Sequence, residues 1–427
     1  MKQWKRMKAL LLLPVCAVLA VSGCCAEAKD EAAPFVPKVL RYVAVPEDAF
    51  GGIPGGRVAA VAEDGNKLLV IGRNSLYLWD AAAGQRIPVY FSQEEDMDLL
   101  NDAVLLQCMN GKTTEATLET IRGKMAEYLA DHGLERFENL AQAGEFLNLR
   151  NGNNGIYICC AGEHFAVAAM FQPWVYFTVD LRTGEARIIE CLQQDFEYTD
   201  AGTGWAESRG LSIVPMLYGD LLLSDNGVTD LNTGETVQLE LRMPDTLPED
   251  IRLDQSTADA LAPDGNILKT AATNLIRTDD GKLVRDWYLL DCGADGTNVI
   301  RICENSRADL SEMLVTGNGR YVTVSDPNAI GQGAVWMIDR KTGDVRSLED
   351  TGWVAVGAYD TGFLCYDLNY GFWPLLAVDP ETMNYVFVNL TGTNCPQPTV
   401  RTLVGMISNG RYFCPRSDII NGYFIAE

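Results

Sequence analysis

This chain of 427 residues contains two histidines, so only two imidazole side chains are available for acid–base chemistry. His132 lies in a stretch with helical spacing of its apolar residues, and His164 lies beside an apolar run typical of a strand. Catalysis by an activated serine, a zinc ion or a phosphate-binding loop has known signatures, such as GxSxG, HExxH and the P-loop. Because none of these patterns occurs, the sequence predicts no catalytic residue, no metal site and no cofactor.

Two acidic stretches resemble cation sites without completing one. The stretch "DCGADGTN", which begins at Asp291, has the start of a calcium loop, but Gly293 and Ile302 stand where oxygen ligands belong. It is predicted to be a long hairpin. The run from Glu94 to Asp98 is predicted to be a solvated acidic loop.

Tryptophans outside the apolar runs give the only indication of a ligand. Trp205 lies in the polar stretch "DAGTGWAESRG", and Trp353 and Trp373 flank another loop-rich region. Exposed tryptophans would suit a sugar or a peptide, so these three are candidate ligand contacts, with packing inside the fold as the alternative. Four further tryptophans lie in strand-like runs and are expected in the core: Trp79, Trp174, Trp287 and Trp336.

The first two dozen residues have the pattern of an export signal. Basic residues precede an apolar run from Ala9 to Val21, which is shorter than the about 20 residues that a membrane-spanning helix needs. Ser22 and Gly23 then place small residues directly before Cys24. This arrangement resembles the bacterial lipoprotein signal, which implies that Cys24 is lipidated and becomes the first residue of the mature chain. An ordinary secretory signal is the alternative, and it implies the same compartment without the anchor.

The domain organisation follows from this leader and from the composition. Residues 1–23 are predicted to be the signal peptide, residues 24–37 a flexible tether and residues 38–427 the folded domain. A formal net charge of −24 repels phosphate backbones and anionic headgroups, which excludes nucleic-acid binding. A hydrophobic content of 47% allows a large core and excludes disorder for most of the chain.

Ten cysteines remain once Cys16 of the leader and the lipid site Cys24 are set apart. Most lie in or beside apolar runs, where a buried thiol behaves as a small hydrophobic side chain. No CxxC pair occurs, and the adjacent Cys159 and Cys160 would point to opposite faces of a strand. The thiols are therefore predicted to be mostly free and buried, with disulfides as the alternative in an exported protein.

One hairpin phrase recurs along the chain. An apolar strand ends in an aspartate, and a glycine follows four residues later. A short acceptor side chain at the start and a glycine able to adopt positive φ at the end predict a four-residue hairpin loop. Asp379 with Met383 keeps the aspartate and loses the glycine, so that copy is degenerate. The complete copies are Asp80 to Gly84, Asp180 to Gly184, Asp230 to Gly234 and Asp339 to Gly343.

A second phrase, Asn or Asp followed by Gly, precedes several hairpins and predicts another turn between strands, as in "EDGNKLLVIG" and "TGNGRYVTVSD". Each unit thus contains about four antiparallel strands, and the hairpin aspartates from Asp180 to Asp379 recur at intervals of 40 to 61 residues. This period is typical of a β-propeller. The phrases resemble those of WD-repeat, TolB-type and quinoprotein-like propellers. That resemblance implies the fold and no particular activity.

The predicted fold is therefore all-β: a β-propeller of seven four-stranded blades with a small helical insertion between the first two blades. After its turn phrase, the last blade has room for only three strands. The strand-like run Val39 to Val45 is predicted to supply the fourth, antiparallel to the C-terminal strand, because an unpaired edge exposes backbone donors and acceptors. The blades are placed near residues 58–91, 156–192, 209–241, 258–303, 311–349, 354–390 and from 401 onward.

The interval between Asp80 and Asp180 is too long for one blade. It contains apolar residues at helical spacing from Leu118 to Leu129, followed by Gly133 as a helix stop. We expect a helical insertion at about residues 112–148, with a second short helix from Leu134. This pattern is compatible with an insertion that only packs against the outer edge of the propeller. It is also compatible with a lid or a partner-binding element.

These features together predict a monomeric, lipid-anchored propeller on the extracytoplasmic side of the cell envelope. It would bind an unknown protein or glycan and perform no chemistry. One alternative is a propeller-fold polysaccharide lyase or hydrolase, which would need clustered titratable side chains at the channel mouth. Another is an envelope assembly lipoprotein, which would need membrane-protein partners.

Overall fold

Antiparallel β-sheets make up most of this protein, for which a computed structural model was analysed. The predicted signal peptide, the predicted lipid site Cys24 and most of the predicted tether lie outside the described residues. The structure describes residues 35–51, 56–72, 75–109, 113–149, 156–170, 175–191, 196–198, 203–206, 215–224, 227–237, 251–252, 259–293, 296–329, 334–370, 375–396, 403, 406–408, 411–416 and 420–427.

The first part of the chain contributes the outer strand of one blade and two complete blades, which we number 1 and 2. A short helix α1 (Glu47–Phe50) precedes blade 1. The strands in chain order are β1 (Val39–Ala44), β2 (Arg57–Val61), β3 (Lys67–Ile71), β4 (Leu76–Asp80), β5 (Gln85–Pro88), β6 (Tyr90–Phe91), β7 (Thr113–Thr114), β8 (Ile156–Ala161), β9 (Phe165–Met170), β10 (Val175–Asp180) and β11 (Glu185–Cys191). Blade 1 is β2 to β5 and blade 2 is β8 to β11.

Blades 3 and 4 follow a small sheet. The next strands are β12 (Phe196–Tyr198), β13 (Thr203–Ala206), β14 (Met216–Tyr218), β15 (Leu221–Ser224), β16 (Gly227–Asp230), β17 (Thr236–Val237), β18 (Ile251–Arg252), β19 (Asp259–Leu261), β20 (Ile267–Thr273), β21 (Ile276–Arg277), β22 (Leu283–Gly293) and β23 (Gly296–Ser306). Blade 3 is β14 to β17, and blade 4 consists of β19, β20, β22 and β23. Strands β12 and β13 form a separate sheet with β7.

Blades 5, 6 and 7 complete the set. A short 3-10 helix (Glu349–Thr351) joins blades 5 and 6. The strands are β24 (Glu312–Val315), β25 (Tyr321–Ser325), β26 (Val335–Asp339), β27 (Val345–Ser347), β28 (Trp353–Ala358), β29 (Phe363–Asp367), β30 (Leu375–Val378), β31 (Tyr385–Thr391), β32 (Ile407–Ser408), β33 (Tyr412–Cys414) and β34 (Gly422–Ala426). Blade 5 is β24 to β27, blade 6 is β28 to β31, and blade 7 is β32 to β34 with β1.

The blades are arranged around a common centre, as in a β-propeller. The first strands of successive blades are neighbours from blade 2 to blade 7, and β32 of blade 7 also contacts both β2 and β8. The described residues contain seven four-stranded units. The number of blades in the complete ring stays a prediction, because segments such as residues 238–250 lie outside the described set.

The N-terminal strand closes the last blade, as predicted. Strand β1 pairs antiparallel with β34 over five residue pairs, from Leu40–Ala426 to Ala44–Gly422. It also pairs in parallel with β31 of blade 6, starting at Val39–Asn389. The prediction that this run is the outer strand beside the C-terminal strand is therefore confirmed.

Burial between neighbouring blades explains why so many strands are apolar on both faces. All six residues of β9 and all four residues of β30 are buried, so alternation of polar and apolar residues is absent there. The indoles of Trp79, Trp287 and Trp336 lie in this core, as expected. Trp174 lies outside the described residues.

The predicted aspartate hairpins form with the expected geometry. In the hairpin that begins at Asp180, the Gly184 amide donates to the Asp180 carbonyl at 2.8 Å, and Gly184 has φ +83°. The degenerate copy makes the same loop, since the Met383 amide donates to the Asp379 carbonyl and Met383 adopts φ +60°. A non-glycine residue in this left-handed region carries a conformational cost, which the rest of the hairpin offsets.

The insertion between blades 1 and 2 is helical but begins earlier than expected. Its helices are α2 (Glu94–Met109), α3 (Glu115–Asp131) and α4 (Leu140–Leu149). The acidic run from Glu94 to Asp98 is therefore the first part of a helix, and its prediction as a solvated loop is wrong. Negative side chains are favourable there because the first turn carries unpaired N–H groups and a partial positive charge. Gly133 follows α3 with φ +67°, which confirms the helix stop.

The insertion packs against blades 1 and 2. Leu100, Val104, Phe137 and Phe146 are buried in the same core cluster as strands of both blades. Asp96 is only 8% exposed, and its carboxylate accepts from Arg187 of β11 at 2.9 Å. No described helix is both long and apolar enough to cross a membrane.

Eight cysteines among the described residues carry free thiols, which confirms that part of the prediction. Cys292, Cys365 and Cys414 are buried, and the others are half-buried. The half-buried thiols are Cys108, Cys159, Cys160, Cys303 and Cys395.

Candidate functional site

The antiparallel order of each blade brings two kinds of turn to the same end. The turn between the first and second strands and the hairpin between the third and fourth strands both lie there. We call this end of the propeller the turn face. Its first-to-second-strand turns among the described residues are 62–66, 162–164, 219–220, 262–266, 316–320 and 359–362.

Backbone contacts hold the turns of neighbouring blades together. The Glu63 amide of blade 1 donates to the Glu163 carbonyl of blade 2 at 3.2 Å, and the Asn318 amide of blade 5 donates to the Asp360 carbonyl of blade 6 at 2.8 Å. A side chain on Gly162 would clash with the carbonyl of Gly219, at 2.1 Å. The side chains of these turns therefore extend from backbone segments that contact the turns of neighbouring blades.

Carboxylates from three blades act electrostatically on a tyrosine at the end of β14. Tyr218 is 40% exposed. Burial raises the pKa of its phenol, and the negative charges of Asp360, Glu163 and Asp264 raise it further. These acids belong to blades 6, 2 and 4, and their charges all act on the phenol of Tyr218. We call the four acids Glu63, Glu163, Asp264 and Asp360 the acidic mouth.

Two members of the acidic mouth, Glu163 and Asp360, keep their negative charge. The other two have partners, since Asp264 binds Arg340 at 2.9 Å and Glu63 faces His164 at 3.2 Å. The arginines of the turn face are bound mainly to hairpin aspartates, such as Arg182 to Asp180 at 2.8 Å. Among the described residues, no ion pair includes Glu163 or Asp360, although both are exposed. An uncompensated cluster of carboxylates attracts cations.

His164 lies beside this mouth and connects three blades. Its Nδ1 lies 2.9 Å from Asp220 Oδ2 of blade 3, and its Nε2 lies 3.2 Å from Glu63 Oε2 of blade 1. The hydrogen bond to Asp220 raises the pKa of His164, against a smaller opposing effect of burial. The Glu63 charge adds to the increase and the Arg182 charge opposes it.

Ligand atoms of Glu63, Glu163 and His164 all lie within 4.8 Å of one another. This spacing is compatible with one divalent cation, although the sequence predicted no metal site. Both nitrogens of His164 already face carboxylates, so metal binding would require Nε2 to leave Glu63. Sequence reasoning missed the group because Glu63 and His164 are 101 positions apart.

Among the described residues, neither His164 nor the buried thiols form an activated nucleophile. The polar partners of His164 are carboxylates, whereas an activated nucleophile would be a hydroxyl or a thiol bound to the histidine. Burial raises the pKa of the Cys160 and Cys414 thiols to about 12 and that of Cys303 to about 11. These thiols are therefore neutral near pH 7 and poor nucleophiles.

A cleft between the hairpins of blades 5 and 6 is lined by Arg320, Asp339 and Glu381, among others. The Arg320 guanidinium binds Asp339 and Glu381, both at 3.0 Å. The charge of Arg320 is thus already compensated by the two carboxylates.

The structure gives different outcomes for the three candidate tryptophans. Trp353 is only 9% exposed, and its indole N–H donates to Asp367 at 3.2 Å, which agrees with the alternative of packing inside the fold. Trp205 lies in strand β13 opposite Glu197 rather than in a loop. Trp373 lies outside the described residues. Their role as ligand contacts stays a prediction.

Exposed aromatic residues lie instead on the outer strand of blade 6. Tyr385 is 47% exposed and Phe387 is 54% exposed, and their rings meet edge to face at 5.6 Å. The edge of Trp353 reaches Tyr385, with ring centroids 5.4 Å apart. Sequence reasoning missed this surface because an apolar strand at the outer edge has the same residue pattern as a strand between blades.

No model of a protein family matches the chain, and no curated protein matches it. Several solved structures are similar to it. They include an oligogalacturonate lyase in complex with manganese, with 12% identity, a TM-score of 0.34 and coverage of 78% of this chain and 72% of that chain. A putative TolB from Agrobacterium tumefaciens has 9% identity, a TM-score of 0.30 and coverage of 87% and 88%. A chain of a mitotic checkpoint complex has 9% identity, a TM-score of 0.41 and coverage of 94% and 98%. Likenesses at this level give no information on activity, and the β-propeller fold of this chain is established by its own strand pairing.

Proposed function

We propose that this chain is a lipid-anchored, extracytoplasmic binding or scaffold module and that it performs no catalysis. The lipoprotein-like leader that ends at Cys24 supports the anchor and the location. The acidic mouth supports the binding role, and it is the observation that carries the proposal. Its carboxylates come from several blades, and those of Glu163 and Asp360 have no ion-pair partner among the described residues.

The mouth favours a cationic ligand. A carboxylate bound to a charged donor contributes more than a neutral hydrogen bond, about 1.5–3 kcal/mol for each contact. The suitable ligands are therefore a basic segment of a partner protein or a glycan that carries free amino groups. Tyr218 adds an exposed ring beside the carboxylates, on which such a ligand can pack.

The test compares two double variants of equal charge. Glu163→Gln with Asp360→Asn neutralises the mouth, whereas Glu349→Gln with Asp350→Asn neutralises two exposed acids of the 3-10 helix, near the opposite end of the blades. A lysine-rich peptide and chitosan oligomers serve as probes in calorimetric titrations. We expect the mouth variant to lose about tenfold or more in affinity at low salt. The control variant should bind like the unmodified chain.

Two results would contradict the proposal. Equal affinities of the two variants would show that the overall charge, and not the mouth, attracts the probes. Reproducible turnover of a glycan, peptide or ester that disappears in Asp360→Asn would instead show an enzyme whose acid lies at the mouth.

A further inference from the structure

The outer edge of blades 6 and 7 carries an apolar surface that the binding role does not use. Two residues on the same face of β31 are exposed, namely Tyr385 at 47% and Phe387 at 54%, and their rings meet at 5.6 Å. Phe35, at 45%, is the first residue that the structure describes. We call these three residues the aromatic rim. A single exposed hydrophobic side chain is ordinary, but a group of adjacent ones marks a contact surface.

The path of the chain places Phe35 at the same end as Tyr385. Strands β1 and β31 are parallel, and their register begins at Val39–Asn389. The Asn389 amide also donates to the Lys38 carbonyl at 2.9 Å, which extends the contact toward the N-terminus. Phe35 and Tyr385 each precede that register pair by four residues. The segment that leads to Cys24 therefore leaves the domain beside the aromatic rim.

The distance from the lipid site to the rim is short. Eleven peptide steps separate Cys24 from Phe35. A chain of that length spans at most about 40 Å when fully extended. As a flexible coil its root-mean-square span is about 20 Å. A lipid on Cys24 would thus keep the rim close to the bilayer and raise its effective concentration there, so a weak contact is sufficient.

We propose that the aromatic rim lies on the membrane surface, with its side chains in the interfacial region of the bilayer. This inference rests on the lipid anchor of the proposed function. Tyrosine and other large aromatic side chains are favourable at such an interface because they present an apolar body and, for tyrosine, a polar tip. No member of the rim is charged, so neutral headgroups suit it, whereas the net charge of −24 disfavours anionic ones.

Contact at the rim also sets the orientation of the propeller. The rim is on the outer edge of the ring, so the ring would stand on its edge with its axis along the membrane plane. The acidic mouth would then open sideways, parallel to the surface, where it stays accessible to a soluble or membrane-attached partner.

Hydroxyl-radical footprinting of the lipidated protein on phosphatidylcholine liposomes tests the inference. The Cys24→Ala chain, mixed with the same liposomes, is the unbound reference. We expect oxidation of Phe35, Tyr385 and Phe387 to fall at least threefold in the lipidated protein. Tyr370 is the internal control, because it is 58% exposed and lies in the turn at the opposite end of blade 6, so its oxidation should not change.

The outcomes separate the rim from the anchor. In one outcome, the lipidated protein sediments with liposomes while Tyr385 and Phe387 are oxidised as strongly as in the reference. That result would overturn the contact between the rim and the membrane and would leave the lipid anchor intact. Protein that does not sediment would overturn both. Equal shielding of Tyr370 would mean adsorption without orientation, which also contradicts the inference. If added cell-wall glycan protects the rim residues from oxidation and liposomes do not, the rim binds a glycan. That result would also contradict contact between the rim and the membrane.

A pair of variants completes the test. Replacement of Tyr385 and Phe387 by Ser should restore the oxidation of Phe35 on liposomes, because the rim residues act together. Tyr370→Ser should leave Phe35 shielded. Restoration of Phe35 oxidation in both variants would contradict the proposed surface.

Discussion

At the scale of single residues, His164 has the most distinctive surroundings among the described side chains. Its Nδ1 donates to the Asp220 carboxylate and its Nε2 faces Glu63, while Glu163 and Arg182 lie nearby. One histidine of blade 2 thus joins turns of blades 1 and 3. Its protonated form is attracted by carboxylates on both sides, so the strength of this connection depends on pH.

We expect His164→Gln to be more destabilising at low pH than at high pH. Because the folded pKa of His164 is raised, the stabilisation is fully present below the unfolded value of about 6.5 and is lost as pH rises through the folded pKa. The loss should be about 1 kcal/mol at pH 6 and should become smaller toward pH 9, given that the side chain is 28% exposed. Urea denaturation between pH 5.5 and 9 measures it, and Asp220→Asn should remove most of the same pH dependence. Parallel stability curves for His164→Gln and the unmodified chain would contradict this.

Arg340 illustrates a buried ion pair between blades 4 and 5. Its side chain is 6% exposed and donates to both oxygens of Asp291 at 2.9 Å, and it also reaches Asp264. Arg340→Met leaves the Asp291 carboxylate buried without its partner, so we expect a loss of about 3–5 kcal/mol in the free energy of unfolding.

Urea denaturation provides the measurement for Arg340→Met, with Arg320→Met as the matched control. The side chain of Arg320 is 30% exposed and lies in a surface ion pair, so its loss should cost much less than the loss of Arg340. Addition of Asp291→Asn to Arg340→Met should recover part of the stability. Equal losses in the two arginine variants would show that burial of Arg340 is unimportant.

At the scale of elements, strand β1 is the connection that closes the last blade. Leu40 is fully buried, Tyr42 is 7% exposed, and the Tyr42 ring lies 5.5 Å from that of Phe424. Without β1, strand β34 would lose a partner over five residue pairs.

Deletion of residues 39–45 should therefore lower the melting temperature by roughly 10 °C or more, or prevent folding. Leu40→Ala is the milder change and should cost about 2–5 kcal/mol, because it leaves a cavity in the core. Arg41→Ala is its control: Arg41 is paired with Glu427 at the surface and should cost less than about 1 kcal/mol. Scanning calorimetry and urea denaturation measure these effects. A melting temperature that falls as much on removal of residues 26–33 would contradict the role of β1.

At the scale of the whole molecule, the proposed anchor decides where the propeller acts. Replacement of Cys24 by Ala should release the protein from membranes or leave an uncleaved precursor, because the lipid is the proposed attachment. Fractionation of cells, with mass spectrometry of the N-terminus, measures this. Replacement of the neighbouring Cys25 by Ala is the control and should leave membrane retention unchanged. Complete membrane retention of a correctly trimmed Cys24→Ala chain would refute the anchor.

The local structure of this protein could be predicted from its sequence. The aspartate and glycine of each hairpin act within five residues of each other, so the turns at Asp180 and Asp339 are determined by adjacent side chains. The repeat of such turns then fixed the propeller class and the pairing of β1 with β34. The acidic start of α2 was misread, because carboxylates are favoured both in solvated loops and in the first turn of a helix.

Only the tertiary structure decided which residues meet and which are covered. The charges of Glu163, Asp264 and Asp360 act on Tyr218 because the blades form a ring, a relation that spacing along the chain does not encode. Trp353 and Tyr385 belong to similar apolar runs, yet one is 9% exposed and the other 47%. Residue periodicity predicts which side chains share a face of a strand, but the burial of those side chains depends on what packs against that face. That is set by the position of the strand in its blade.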